Sequence, residues 1–545
     1  LRTSISRVHI QHFPAVRRYL QHFISGALAI VILLLLFHTA IGDAYSSTQD
    51  FFCLKMHVVS IPSTLCNSGL GVTTLPNGVR IGLIGINNKN EAPFDPSQEN
   101  SDEAQAEQFI FAEDASACAP TQLHITLAVV TLFSRTIEDP VGSASAGLDD
   151  LRGAYLAQHD YNTPHPAIRL CLVIANLGTL TTSSQSSGNG QPFALTQVIK
   201  QLVQYARYDS TFRGIVGFPY STQVQDALSI LSSSWQETTI PIVSPDSTSN
   251  NLSKTPYPNF HRVSSPDAIQ GAGMAQYVCH SLVTKQPAAS PVRVAIFSDS
   301  TDSYIPSLSS SFQGALQLCL GSREHSDLEP YQKGNAKLIQ QGVTDAIKKR
   351  DQYIFFAGYI SDLDTVEAQV QSLQAGSSSR VTILGGDGLY DITVPHNIVA
   401  PLYTTVYASP LNMQDQQSSA LFYEYKQDFT LPYLSSAIQS YRSYYLLPQN
   451  FIRSYEATEA FTQTLNTFIQ DYHSTSLPSQ GDFDQVLANA SFTSFTTPIT
   501  FQGQNSNDPE PVPVYIMCSN SGHSLYWVAT YMGGQITGQQ PFSCS

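Results

Sequence analysis

The chain has 545 residues, enough for two or three ordinary domains, and 42% of them are hydrophobic, which fits a packed globular protein and excludes a disordered one. Charged residues make up only 13%, well under the roughly 25% usual for soluble domains, so Ser, Thr, Gln and Asn fill the surface. A formal net charge of -15, with nothing basic clustered to neutralise phosphates, argues against nucleic acid as a partner.

Residues 1–22 hold Arg2, Arg7, Arg17 and Arg18 and no acid, and they lead into the apolar run Phe23 to Phe37. This pattern predicts export: a basic arm stays in the cytoplasm and everything after Asp43 lies outside, by the positive-inside bias. Extended to Ile41, the apolar run (23–41) reaches about 19 residues against the roughly 20 that a membrane span needs. It is either a retained transmembrane anchor or a signal peptide, with Gly42-Asp43-Ala44 an acceptable cleavage site. An extracytoplasmic location follows in both cases, with anchoring by one N-terminal helix in the first.

The eight cysteines suit disulfides in an exported chain. Cys53 with Cys66 would close a short loop, and Cys518 with Cys544 would tie a C-terminal hairpin. Cys279 and Cys319 fall on two predicted helices flanking one strand and form a third candidate pair. Cys171 lies inside the apolar stretch IRLCLVIA, either as a buried free thiol or bonded to Cys118. No Cys/His spacing suggests a zinc site, and no cofactor is expected.

Residues 42–121 read as an N-terminal extension, with VRIGLIGI a strand and an acidic, irregular stretch behind it. From residue 122 short apolar runs alternate with helical segments, the signature of parallel βαβ units. The predicted strands are 124–133, 168–176, 212–218 and 239–244, with helices over 145–162, 194–208 and 222–235 between them. Runs this uniformly apolar are buried on both faces, as a doubly wound sheet requires. The rhythm restarts after the segment HRVSSPDAIQGAGMAQYVCHSL, with strands at 292–298, 353–358 and 381–386, and LYTTVYASP (402–410) leads back. A helix over 455–472 and strands at 497–503 and 512–518 complete the chain. The expected architecture is α/β, two doubly wound parallel-sheet lobes joined by a three-strand hinge. The first lobe would comprise 122–262 and 410–497, the second 263–409 and 498–545. Ligands of open α/β sheets sit beyond the carboxyl ends of the strands, so a cleft between the lobes is the expected site.

The stretch VTILGGDGLYD (381–391) ends a strand in GGDG, a turn also found in kinases. No Thr follows, however, and no Walker loop, HExxH, GxSxG or complete GxGxxG accompanies it, so no enzyme is expected. From residue 122 onward the chain instead resembles the type I periplasmic binding proteins, the leucine/isoleucine/valine receptors of ABC importers. GLDDLRGAYLAQHDYN, GIVGFPYSTQ, PIVSPDSTSNNLS, FHRVSSPDAIQGAGMAQYV, VAIFSDSTDSY, FFAGYISDLD and ILGGDG carry the likeness, in the family's order. The resemblance implies that Ser221, Ser247 and Thr248 hold the ligand's carboxylate in the first lobe. It also implies that Tyr304 and Tyr359 cover the ligand from the second lobe and that Asp387 pairs with its ammonium. The function it implies is non-catalytic: a receptor that closes on a small polar ligand, an amino acid or a similar compound, for an ABC permease. The alternative is a ligand-sensing ectodomain working with a separate signalling partner. The turn SRTIEDPVGSAS departs from the family's glycine-rich form, which leaves the ligand class open.

Overall fold

The computed structural model describes residues 70–85, 94, 102–134, 142–179, 192–235, 239–254, 257–285, 287, 290–375, 380–390, 398–407, 429, 448–472, 476–494, 498–501, 507–510, 512–519 and 525–538. All belong to the unit Leu70–Ser545. The basic arm, the apolar run at 23–41 and the Cys53/Cys66 pair lie outside the described residues. Among the described residues, no helix is long and apolar enough to cross a membrane.

The first sheet has seven strands, β1 (Val72–Thr74), β2 (Arg80–Ile84), β3 (His124–Thr131), β4 (Arg169–Asn176), β5 (Phe212–Gly217), β6 (Ile242–Ser244) and β7 (Phe260–Arg262), in the spatial order β1-β2-β4-β3-β5-β6-β7. From β4 to β7 every pairing is parallel, and β2 joins antiparallel with Gly82 opposite Asn176. Helices α1 (Asp102–Ala117) and α2 (Gly142–Asn162) lie on one face of the sheet, and α3 (Phe193–Tyr208) and α4 (Ser221–Ser229) on the other. Along β3, Ile125, Leu127 and Val129 pack toward the first pair, Ala128 and Val130 toward the second. Both faces are dry, so the strand shows no polar alternation. The segment expected as an extension packed on the lobe instead supplies two strands of its sheet, and α1 covers α2.

The second sheet contains β8 (Val292–Ser298), β9 (Glu324–Pro330), β10 (Tyr353–Phe356), β11 (Thr382–Gly385), β12 (Leu402–Val406), β15 (Val514–Ser519), β16 (Leu525–Met532) and β17 (Gln535–Thr537), ordered β17-β16-β15-β12-β11-β10-β8-β9. β9 through β12 run parallel, and β15 to β17 add an antiparallel meander. Helices α5 (Asp267–Tyr277), α6 (Tyr304–Leu320), α7 (Ala336–Lys349) and α8 (Ile360–Gln374) flank it. Helix α9 (Gln449–Tyr472) and the short α10 (Gln480–Leu487) return to the first lobe, where Phe451, Ala460 and Phe461 enter its core. β13 (Ser491–Thr493) and β14 (Pro498–Thr500) form a small hairpin. Ile499 and Phe501 pack in the first-lobe core, so the third crossing comes after Phe501, later than the boundary expected at 498.

One guanidinium gathers two of the three crossings. Arg262, wholly buried, donates to Asp508 Oδ1 from Nε and Nη2 (2.8 and 2.6 Å), and to the carbonyls of Ser247 and Ser249 from Nη1 (3.0 and 2.9 Å). Tyr407, at the second crossing, donates its hydroxyl to the Ser265 carbonyl at 2.8 Å, and the Val512 N–H donates to Ser265 Oγ at 3.1 Å. Arg453 of α9 is also wholly buried and is committed to Glu456 and to the Tyr407 carbonyl. Two disulfides are described. Cys118–Cys171 ties the end of α1 to β4, so Cys171 is bonded and not the free thiol that its apolar setting also allowed. Cys279–Cys319 links the end of the α5 segment to α6. Cys518 is disulfide-bonded as well, and Cys544, its expected partner, lies outside the described residues.

Candidate functional site

In the first lobe, β5 ends in an unusual turn. Gly217 and Phe218 have φ of 147° and 60°, the latter rare for a bulky residue. This conformation points the Phe218 carbonyl at Ser247 and Ser244, whose hydroxyls donate to it at 2.8 and 3.1 Å. Ser221 opens α4, and its Oγ accepts the N–H groups of Thr248 and Ser249, each at 3.1 Å. Ser221, Ser247 and Thr248 are therefore brought together as expected, all buried. The two N–H groups that could cradle an anion are turned onto Ser221 Oγ.

In the second lobe, Tyr304 begins α6, Tyr359 precedes α8, and Asp387 sits in a tight turn directly after β11. The Tyr304 hydroxyl donates to Asp387 Oδ1 at 2.8 Å and accepts the Gly388 N–H at 3.1 Å, while the Asp387 N–H donates to Gln270 Oε1 at 3.2 Å. A Cβ at Gly386 would lie 2.4 Å from Gln270 Oε1 and 2.6 Å from the Tyr304 hydroxyl. Glycine is needed here to let these two side chains reach and fix the aspartate. Tyr359 donates to Asp302 Oδ2 at 2.9 Å, and its ring centroid is 5.7 Å from that of Tyr304.

The lobes meet around these residues. Thr222 and Ser303 hydroxyls are 3.0 Å apart, Ser249 Oγ donates to the Ser303 carbonyl at 3.0 Å, and Asn250 donates from its backbone to Ser307 Oγ (2.9 Å) and from Nδ2 to Ser311 Oγ (2.8 Å). Tyr220 of the first lobe stands edge-on to Tyr359 at 5.8 Å, and the Lys333 ammonium lies 4.3 Å from the Tyr359 ring and 5.6 Å from that of Tyr220.

Burial governs the electrostatics. It raises the Asp387 carboxyl, against the nearby Gln270 side chain, the hydrogen bond donated by Tyr304 and the neighbouring backbone N–H groups, which favour the charged form. Tyr304 and Tyr359 are held well above the usual phenol range, first by burial and then by neighbouring carboxylates, and so remain hydrogen-bond donors. Sequence reasoning did not single out three further cleft residues: Asp246, Asp267 and Gln270. Asp246 follows β6, and burial, then the charge of Asp387, pushes its carboxyl up to about 8. Asp267, the first residue of α5, is fully buried and pushed up to about 7, again by burial first, while the Ser307 and Thr248 hydroxyls pull the other way. PDST and SPDA look like turn and helix-cap sequences, and nothing local in them announces a buried charge.

Known structures share this fold. A leucine-binding protein of Thermotoga maritima superposes with a TM-score of 0.55 at 18% identity, over 74% of this chain and 98% of that one. A branched-chain amino acid transporter substrate-binding protein of Streptococcus pneumoniae, in complex with isoleucine, gives 0.54 at 16% identity over 76% and 99%. An ABC transporter substrate-binding protein of Desulfitobacterium hafniense gives 0.51 at 17% over 74% and 100%. No family model and no curated protein sequence matches the chain. The fold is that of the type I periplasmic binding proteins.

Proposed function

We propose that this chain, built on the two-lobed fold of the type I periplasmic binding proteins, is an extracytoplasmic, non-catalytic solute receptor that closes on a small polar ligand bearing an ammonium group, an amino acid or a similar compound, for an ABC-type permease. The observation that carries this proposal is Asp387, half-buried at a strand end, whose carboxylate accepts the Tyr304 hydroxyl and whose backbone N–H donates to Gln270, with no cation of the protein paired to it among the described residues. A fixed, desolvated carboxylate at the mouth of a parallel sheet is suited to an ammonium. Tyr304 and Tyr359 form the aromatic wall, and Ser221, Ser247 and Thr248 shape the opposite side.

The test is a thermal-shift screen of the purified protein against amino acids, sugars and small amides, in which a ligand at about 100 times its Kd adds about 2.7 kcal/mol. Calorimetric titration of the best ligand with Asp387→Asn should then show a loss of roughly 2–5 kcal/mol in a normally folded variant. Affinity within about threefold of wild type, well under the roughly 1.4 kcal/mol of a tenfold change, would reject Asp387 as the ammonium partner.

A further inference from the structure

The cleft holds more carboxyl groups than one ammonium on a zwitterion requires. Asp246 is half-buried as a residue, yet both its carboxylate oxygens are shielded from solvent and neither meets a donor. The charges that act on it are those of Asp387 in the second lobe and of Arg453 and Glu456 in α9, and its own charge acts on Asp150 of α2. Of these only Arg453 is cationic, and it is already engaged by Glu456 at 2.5 Å. Arg262 is likewise spent on Asp508 and on backbone carbonyls. Asp267 adds a third carboxylate whose oxygens lack well-aligned donors. Thr248 Oγ1, also fully buried, makes no well-aligned hydrogen bond. The side that would have to hold a ligand carboxylate presents Asp246, while the nearby N–H groups of Thr248 and Ser249 are occupied by Ser221.

We propose that the cleft selects a small organic cation, a primary amine of net positive charge, gripped by Asp246 from the first lobe and Asp387 from the second, in preference to a neutral zwitterionic amino acid. This rests on the receptor function proposed above and narrows its ligand class. The physical reason is electrostatic: two carboxylates that repel each other cannot both ionise cheaply, and a cation that reaches both lets them do so. Binding then expels protons that the empty cleft holds.

The experiment is calorimetric titration of the full-length protein with 1,4-diaminobutane, L-leucine and calcium chloride, at about pH 6 and about pH 8 and in two buffers of different ionisation enthalpy. The expected result is diaminobutane binding at least about tenfold tighter than leucine, release of protons on binding, and higher affinity at the higher pH. Asp246→Asn should lose about tenfold or more in diaminobutane affinity while its unliganded melting temperature is kept or raised. Proton release by the wild-type protein is decisive even if that variant fails to fold. Leucine binding as tightly as diaminobutane, without proton release, would overturn the cation assignment and leave the receptor function standing. Calcium binding that depends on Asp246, with none by the amine, would also overturn it. If neither these probes nor any compound of the wider screen binds, both proposals fall.

Discussion

At the residue scale, the cleft acids tie ligand chemistry to stability. Asp246 and Asp267 titrate near 8 and 7 in the folded protein because burial penalises their charged forms, and unfolding returns them to the ordinary range near 4. The folded state therefore binds more protons than the unfolded one over that interval. The stability these groups contribute is complete below about pH 4 and is lost as pH rises through about 7 to 8. Asp114, pushed up to about 8, and Glu367 and Glu459, each to about 7, act in the same direction. The unliganded protein should accordingly melt at a higher temperature at about pH 5 than at about pH 8, and Asp246→Asn should flatten that slope. Differential scanning calorimetry across this range checks it, and a midpoint that climbs toward pH 8 would show that the acids are solvated. Asp387, Tyr304 and Tyr359 could be singled out from sequence through the resemblance, because they fall in strand-end motifs similar to those of the type I periplasmic binding proteins. Asp246, Asp267 and Gln270 could not, since a missing partner is a property of tertiary surroundings and leaves no trace in a four-residue window.

At the element scale, most of the sheet was legible for one reason. β3, β4, β5, β8, β10 and β11 are buried on both faces and read as continuous apolar runs. β9 escaped notice because EHSDLEP is an edge strand with most of its residues exposed or half-exposed, so its composition resembles a loop. β2 reads as a strand in VRIGLIGI, but its place in the sheet does not show in the sequence, because β1 and β2 reach the sheet antiparallel, ahead of the βαβ rhythm. The link that fastens this N-terminal portion is the Cys118–Cys171 disulfide, whose partners are 53 residues apart. A closed loop of that length removes chain entropy from the unfolded state worth about 4 kcal/mol, with measured values commonly 2–4. Cys118→Ser with Cys171→Ser should lower unfolding free energy by roughly 2–4 kcal/mol in denaturant titration, with little change in ligand affinity. Peptide mapping without reduction should recover Cys118 linked to Cys171 and Cys279 linked to Cys319. Free thiols at these four positions in exported protein would contradict both bonds and the oxidising compartment they imply.

At the scale of the whole molecule, the proposed function requires the lobes to separate and rejoin, and among the described residues the contacts between them around the cleft are mostly polar. Asn250 reaches Ser307 and Ser311, Ser249 and Thr222 reach Ser303, and Lys333 lies between the rings of Tyr220 and Tyr359. A hydrogen bond of this kind contributes about 0.5–1.5 kcal/mol and an exposed cation–π contact about 0.5–1 kcal/mol, so the interface is weak enough to open without disturbing either core. The hinge behind it is stiffer, because Arg262 and Tyr407 bind the crossings through buried hydrogen bonds. Asn250→Ala combined with Lys333→Ala should therefore favour the open form by roughly 1–2.5 kcal/mol while leaving the melting of each lobe nearly unchanged. Because a ligand that binds only the closed form loses apparent affinity in proportion to the closed fraction, the double variant should also bind more weakly with its cleft residues intact. Small-angle scattering separates this from a local defect. The variant should have a larger radius of gyration than wild type, and saturating ligand should bring both to the same smaller value. Identical scattering from both proteins, with and without ligand, would mean that the lobes do not move, and a receptor that closes on its solute would be excluded.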